Sequence, residues 1–200
     1  MTATEEYFMH LNIWEKEQKY ISRWKEFMAN SESVEEFAHE KLNMDPVARD
    51  ENGQQTAEKI LCSSCSQISD DYRFNHDTSH LEFITEAMRK YKTYVPVVLF
   101  RGVCDIPMEK MIEAAKGLGE DDVDFYEKGY MSCSLLKEKA SPYKDQLIIY
   151  VPPFNHVMYA GHCNDEEPEC RYECIIMRGA KLKILKQENH TYYCLLKSTF

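Results

Sequence analysis

The order of patterns along this chain points to an α+β fold. Apolar residues recur at helical spacing through roughly the first 92 positions, and from Val95 onward they gather into short β-branched and aromatic runs. Helix-like and strand-like stretches are segregated rather than alternating, which argues against βαβ repeats.

The helical part begins at Thr2-x-x-Glu5, a capping-box start. Tyr7, Leu11, Trp14, Ile21 and Met28 then fall on one stripe, with Trp24 and Phe27 beside it, as on a core-facing helix. Ser33-x-x-Glu36 caps a second, short helix. Met44–Gly53 carries Asp-Pro and Asn-Gly and reads as a loop. Thr56–Asp70 reads as a third helix, with Ile60, Leu61 and Ile68 inward. Ser79-x-x-Glu82 opens a fourth, on which Leu81, Ile84, Met88 and Tyr91 recur.

Val95–Arg101, closed by Gly102, reads as the first strand. Pro107 suits the first position of a short helix running to Ala115. Gly117–Lys128 is acidic and irregular and is expected to be a loop. Strands follow at Tyr130–Leu135, Gln146–Val151, Val157–Ala160, Tyr172–Met177, Leu182–Leu185 and Tyr192–Leu196. There is no internal repeat and no low-complexity linker. One domain over residues 1–200 is expected, mainly helical over 1–92 and mainly strand over 93–200.

Composition excludes several classes. Hydrophobic residues at 44% and charged residues at 29% are close to globular averages. With 24 Lys and Arg against 34 Asp and Glu, the net charge of −10 disfavours nucleic acid as a partner. The longest apolar runs, Val95–Phe100 and Leu147–Phe154, are far below the roughly 20 residues of a membrane helix, so no membrane partner is expected. The N-terminus lacks a signal-peptide pattern, and a soluble monomer is expected. The eight cysteines are too sparse for a stapled scaffold. Cys62-Ser-Ser-Cys65 has no second Cys-x-x-Cys, and His162, Cys163, Cys170 and Cys174 match no common zinc spacing. Free thiols in a reducing compartment are expected. No His-x-x-x-His pair occurs among the seven histidines, so no metal is expected.

Polar residues interrupt apolar strands at three places. Arg101 ends Val-Val-Leu-Phe-Arg-Gly, Ser132 and Ser134 sit in Gly129-Tyr-Met-Ser-Cys-Ser-Leu135, and Glu173 opens Glu-Cys-Ile-Ile-Met-Arg-Gly179. Each alone is ordinary: a solvated strand end, strand serines, an exposed glutamate. Their order and flanking strands carry the signal.

In that combination the chain resembles the mono-ADP-ribosyltransferases with an arginine–serine–glutamate signature, and in particular single-domain bacterial exoenzymes and effectors. Phe100-Arg101-Gly102 matches the first motif. Tyr130-Met-Ser132-Cys133-Ser134 matches the aromatic-x-Ser-Thr-Ser strand, with Cys in place of Thr. Glu173 through Arg178-Gly179 matches the third, with Met177 where proline is usual, and Lys181–Leu185 resembles the strand after it. The likeness covers about residues 80–200. It implies a helical lobe packed on a mixed, mainly antiparallel two-sheet core.

The resemblance also implies NAD as co-substrate and transfer of ADP-ribose to a protein side chain with release of nicotinamide. Such cleavage passes through an oxocarbenium-like state, which a carboxylate near the ribose stabilises more than it stabilises the ground state. Glu173 is the candidate for that group, oriented by Ser132. Arg101 suits the pyrophosphate, because its guanidinium offers a fixed fork of donors. Gly102, Tyr130 and Ser134 complete the cofactor-binding set, and Tyr130 equally fits a packed strand tyrosine. Lys137, Lys139 and Lys144 read as solvated, with phosphate contact the alternative.

Glu167-Pro168-Glu169 is a literal Glu-x-Glu, the pattern of arginine-modifying members. Its proline disrupts a strand, and no apolar run to Arg-Gly follows Glu169 at the right distance. With Glu173 as the catalytic residue, Arg171 stands where those members carry Glu. A cation there repels an incoming guanidinium, so an acceptor other than arginine is expected. The alternative is that Glu166, Glu167 or Glu169 swings in from the Gly161–Cys170 loop, the segment that recognises protein substrates in the family. Small GTPases, actin and ubiquitin are family precedents for the target, and action inside a host cell fits the effectors. An NAD glycohydrolase and an inactive NAD- or partner-binding module are the other readings.

Overall fold

The computed structural model describes residues 24–29, 34–42, 56–161 and 172–200. The helix expected from Thr2 lies outside these residues as far as position 23. Trp24–Phe27 forms a 3-10 turn. Helix α1, Val34–Phe37, runs into a π-helical turn, Ala38–Leu42.

Helix α2 spans Ala57–Arg73, ending three residues beyond the Asp70 that its sequence pattern indicates. Thr56 caps it, its side chain accepting the Lys59 amide at 3.2 Å. Leu61, Cys65, Ile68 and Tyr72 form its buried stripe. A 3-10 turn, Ser79–Leu81, leads into α3, Glu82–Met88. The capping box expected at Ser79 is absent. The Ser79 amide donates instead to Asp77 Oδ1 at 3.0 Å, a local turn that forestalls the cap.

Strand β1, Val97–Val103, precedes helix α4, Asp105–Leu118. This helix starts two residues before Pro107, which occupies its third position. Proline is tolerated there because a first-turn N–H has no intrahelical partner anyway. Gly119, at φ 66°, takes the left-handed conformation that ends α4. The loop expected over Gly117–Lys128 therefore needs correcting: it contains the end of α4 and strand β2, Phe125–Glu127. Three residues are too few to show an alternation. Their strand character comes from pairing with β7, where Phe125 faces Leu182 and Glu127 faces Ala180.

The remaining strands are β3 (Met131–Ser134), β4 (Asp145–Val151), β5 (Val157–Tyr159), β6 (Glu173–Ile176), β7 (Ala180–Glu188) and β8 (Thr191–Ser198). Each lies on a run expected to be a strand. All eight form one mixed sheet in the order β2-β7-β8-β4-β1-β3-β6-β5. Only the β4–β8 pair is parallel among these neighbours. Strand β1 pairs with β4 along its whole length but meets β3 at a single position, Phe100 opposite Ser134. The two sheets expected are thus two limbs of one sheet, joined at a narrow hinge.

Both faces of the sheet are covered, which is why β1 reads as an unbroken apolar run. Val97, Leu99 and Val103 pack with Leu42 and with Met108 and Met111 of α4. Val98 and Phe100 pack on the other side with Trp24, Ile148 and Tyr150, where Trp24 stacks on Tyr150 at 5.3 Å. Helices α2 and α3 cover the β3-β6-β5 limb through Ile68, Ile84 and Met88 against Tyr130, Met158 and Ile175.

Candidate active site

The hinge between the limbs opens a cavity of about 640 Å³, within the range of roughly 300–1,000 Å³ typical of ligand sites. Arg101, Gly102, Tyr130, Ser132, Ser134 and Glu173 all border it. Those residues span 73 positions of sequence and converge because β1, β3 and β6 are neighbours in the sheet.

Ser132 and Glu173 share one face of the β3–β6 ladder. Ser134 is directly opposite Glu173, so Ser132 is its diagonal neighbour. The Ser132 hydroxyl donates to Glu173 Oε1. Arg101 Nη1 donates to the Ser132 carbonyl at 2.7 Å, tying β1 to β3 just beyond their single register pair. Arg101 Nε is buried and has no hydrogen-bond partner among the described residues. A buried donor left unpaired is costly, and Arg101 is one of the residues that line the cavity. Burial pushes the Glu173 carboxyl above its ordinary value, while the Ser132 hydrogen bond and Arg101 oppose that shift.

Tyr130 and Ser134 have further ties. Tyr130 is fully buried, its hydroxyl 3.0 Å from Thr85 Oγ1 and its ring edge-on to Tyr72. Ser134 Oγ accepts the Leu136 amide at 3.0 Å and shapes the turn that leaves β3. Lys139 borders the cavity with its Nζ 5.3 Å from the centre of the Tyr172 ring. Lys144 pairs with Asp105 at 3.6 Å. Arg171, Glu167 and Glu169 lie outside the described residues.

Several residues at the cavity escaped sequence reasoning. Cys62, Ser66 and Ser69 of α2, with Cys65 of the buried stripe, line the same cavity as Arg101 and Glu173. Their helical spacing was a usable signal, because it runs beside the apolar stripe. Tyr143 had none. A Cβ added at Gly102 would fall 2.0 Å from Tyr143 Cδ2, so only glycine lets that ring lie against β1. A second close approach buttresses the site. A Cβ at Gly129 would fall 2.6 Å from the Ser69 backbone, and this contact lets Ser69 Oγ donate to the Tyr130 carbonyl at 2.8 Å. Beside it the Arg73 guanidinium forks onto buried Glu127, with Nη2 at 2.7 Å, and Glu127 Oε1 also accepts the Gly129 amide.

The six described cysteines, Cys62, Cys65, Cys104, Cys133, Cys174 and Cys194, are free thiols. Among the described residues no cluster of three or more His, Cys, Asp or Glu is placed to hold a metal ion. No described helix is long and apolar enough to cross a membrane.

This sheet, its hinge and its helical cover are the fold of bacterial ADP-ribosyltransferase toxins. The similar solved structures include Plx2a, an ADP-ribosyltransferase toxin from Paenibacillus larvae, at 18% identity over 86% of this chain and 98% of that one, with a TM-score of 0.60. The C3 exoenzyme of Clostridium limosum matches at 17% identity over 86% and 96%, TM-score 0.59. C3stau2 from S. aureus, solved with NAD, matches at 13% over 86% and 97%, TM-score 0.58. No protein-family model matches the sequence, and no curated protein matches it by sequence.

Proposed function

We propose that this chain transfers ADP-ribose from NAD to a side chain of a target protein and releases nicotinamide. The observation that carries this reading is the linked arrangement of Arg101, Ser132 and Glu173 at the cavity formed by the hinge. The shared fold supports it, and C3stau2, itself solved with NAD, supports NAD as the co-substrate.

In this reading Glu173 is the catalytic residue. Its carboxylate, held by Ser132 and largely removed from water, faces positive charge developing on the ribose. A low-dielectric surrounding strengthens that attraction, and the fixed position spares reorganisation in the transition state. Arg101, with Nη1 committed to the Ser132 carbonyl, orients β3, and its guanidinium group belongs to the cavity lining where the pyrophosphate would bind. Gly102, at the cavity beside the Tyr143 ring, is assigned to the nicotinamide amide. Residues 1–200 act as one unit, the helices closing one side of the cavity.

The acceptor is a side chain other than arginine, because Arg171 stands two residues before Glu173. A protein of a host cell is the target class, in keeping with the toxins that share the fold. Incubation with NAD labelled in its adenylate part tests the whole reading. Label on an added host-lysate protein supports it. Free ADP-ribose alone indicates a glycohydrolase, no turnover a binding module, and label on arginine overturns the acceptor assignment.

A further inference from the structure

The sheet end remote from the cavity carries a second surface feature. Tyr94, just before β1, and Phe154, in the β4–β5 turn, are 60% and 58% exposed, and their rings meet edge-to-face at 6.3 Å. Phe154 has φ 67°, a conformation that bulky side chains rarely adopt. The loops that bear the pair are stapled together. The Phe154 amide donates to the Thr93 carbonyl at 2.6 Å, the Thr93 amide to Asn155 at 3.0 Å, and the buried Thr93 hydroxyl to Pro152 at 3.2 Å. The rings therefore protrude from a rigid platform.

Charge around them differs from the rest of the chain. Residues 87–96 and 151–161 contain Arg89, Lys90 and Lys92 and no Asp or Glu, in a protein with 34 carboxylates. Arg89 pairs with Glu86 and Lys90 with Glu58, which among the described residues leaves the exposed Lys92, whose backbone pairs with that of His156 beside the β4–β5 turn, as the net cation. We propose that Tyr94, Phe154 and Lys92 form a peripheral docking site for an anionic lipid bilayer. Protruding aromatic rings with a cation beside them suit the headgroup region, where Tyr and Phe sit at the acyl boundary and Lys meets acidic lipid. Short apolar runs exclude a spanning helix, not such a surface contact. Tyr94 precedes Arg101 by seven residues of nearly extended chain, which places Arg101 roughly 20 Å from this surface.

Vesicle co-sedimentation of the intact protein tests this. Vesicles of phosphatidylcholine with about 30 mol% phosphatidylserine should bind roughly fivefold more protein than phosphatidylcholine alone, the effect of one net cation at an acidic surface. Lys92→Glu should abolish the difference. The double variant Tyr94→Ser/Phe154→Asn should lower binding to both vesicles about tenfold. Asn accepts a positive φ, so this variant should melt no lower than the parent, which separates lost docking from lost folding. Ile106→Ser, which removes an exposed apolar side chain of α4, should bind as the parent does. Equal binding with and without phosphatidylserine, or full binding by the double variant, overturns the proposal.

Discussion

Ser132 lies diagonally across the β3–β6 ladder from Glu173 and donates its hydroxyl to Oε1 of that carboxylate. The geometry depends on register. A slip of one residue would turn either side chain to the opposite face of the sheet. Met131, Cys133, Cys174 and Ile176 are all buried on that other face and hold the register in place.

Glu173→Gln keeps the shape and the Ser132 contact while removing the charge. It should lower the turnover of labelled NAD at least about 100-fold, the scale on which one preorganised electrostatic group acts. Thermal unfolding should show no loss of stability, because a desolvated carboxylate is removed. Full turnover in this variant would exclude Glu173 as the catalytic group.

The pH dependence follows from the upward shift of Glu173. A carboxyl with a raised folded-state pKa stabilises the fold fully below its unfolded value, and that contribution is lost as pH rises through the folded value. The melting temperature of Glu173→Gln relative to the parent should therefore increase as pH climbs above about 4.5. Activity should run the other way, with its acid limb lying above the ordinary glutamate range because the ionised form is required. A pH–rate profile and a paired melting series check the two trends.

Gly102→Ala puts a methyl where the Tyr143 ring lies. Tyr143 is half exposed, so the ring should be displaced at a cost of about 1–3 kcal/mol, the usual range for overpacking. Turnover should fall as well. Combining it with Tyr143→Ala should recover most of the lost stability, and a double-mutant cycle by chemical denaturation measures the coupling.

Arg73 and Glu127 form a buried pair, their side chains 6% and 0% exposed. Arg73→Ala leaves Glu127 uncompensated and should cost about 3–5 kcal/mol in denaturant unfolding. Arg73→Met with Glu127→Leu should be far milder than that, because no charge is left buried.

Thiol reactivity should separate the cysteines. Burial pushes Cys65 and Cys133 up to about 12, while Cys104 is exposed. Brief alkylation of the folded protein near neutral pH, read by peptide mass spectrometry, should modify Cys104 well before Cys65 or Cys133.

Much of this architecture is written locally. The turn from 3.6-residue to two-residue periodicity near Val95 separates helices from strands, since each period reports which side of a backbone meets the core. Arg101, Ser132 and Glu173 were legible for a related reason: each is a polar residue at a fixed place in an otherwise apolar strand. Strand β2 and the true start of α4 were not, because three residues show no period and a proline within a first turn does not mark which position it holds.

The partners of those residues had no local trace. Arg73 finds Glu127 across 54 residues, and Tyr143 lies against Gly102 from another loop. The single β1–β3 pair at Phe100 and Ser134, which leaves room for the cavity, is likewise set between strands. Residue type and periodicity act over a few positions. Which strand lies beside which, and how closely two backbones approach, is decided by the packing of the whole core.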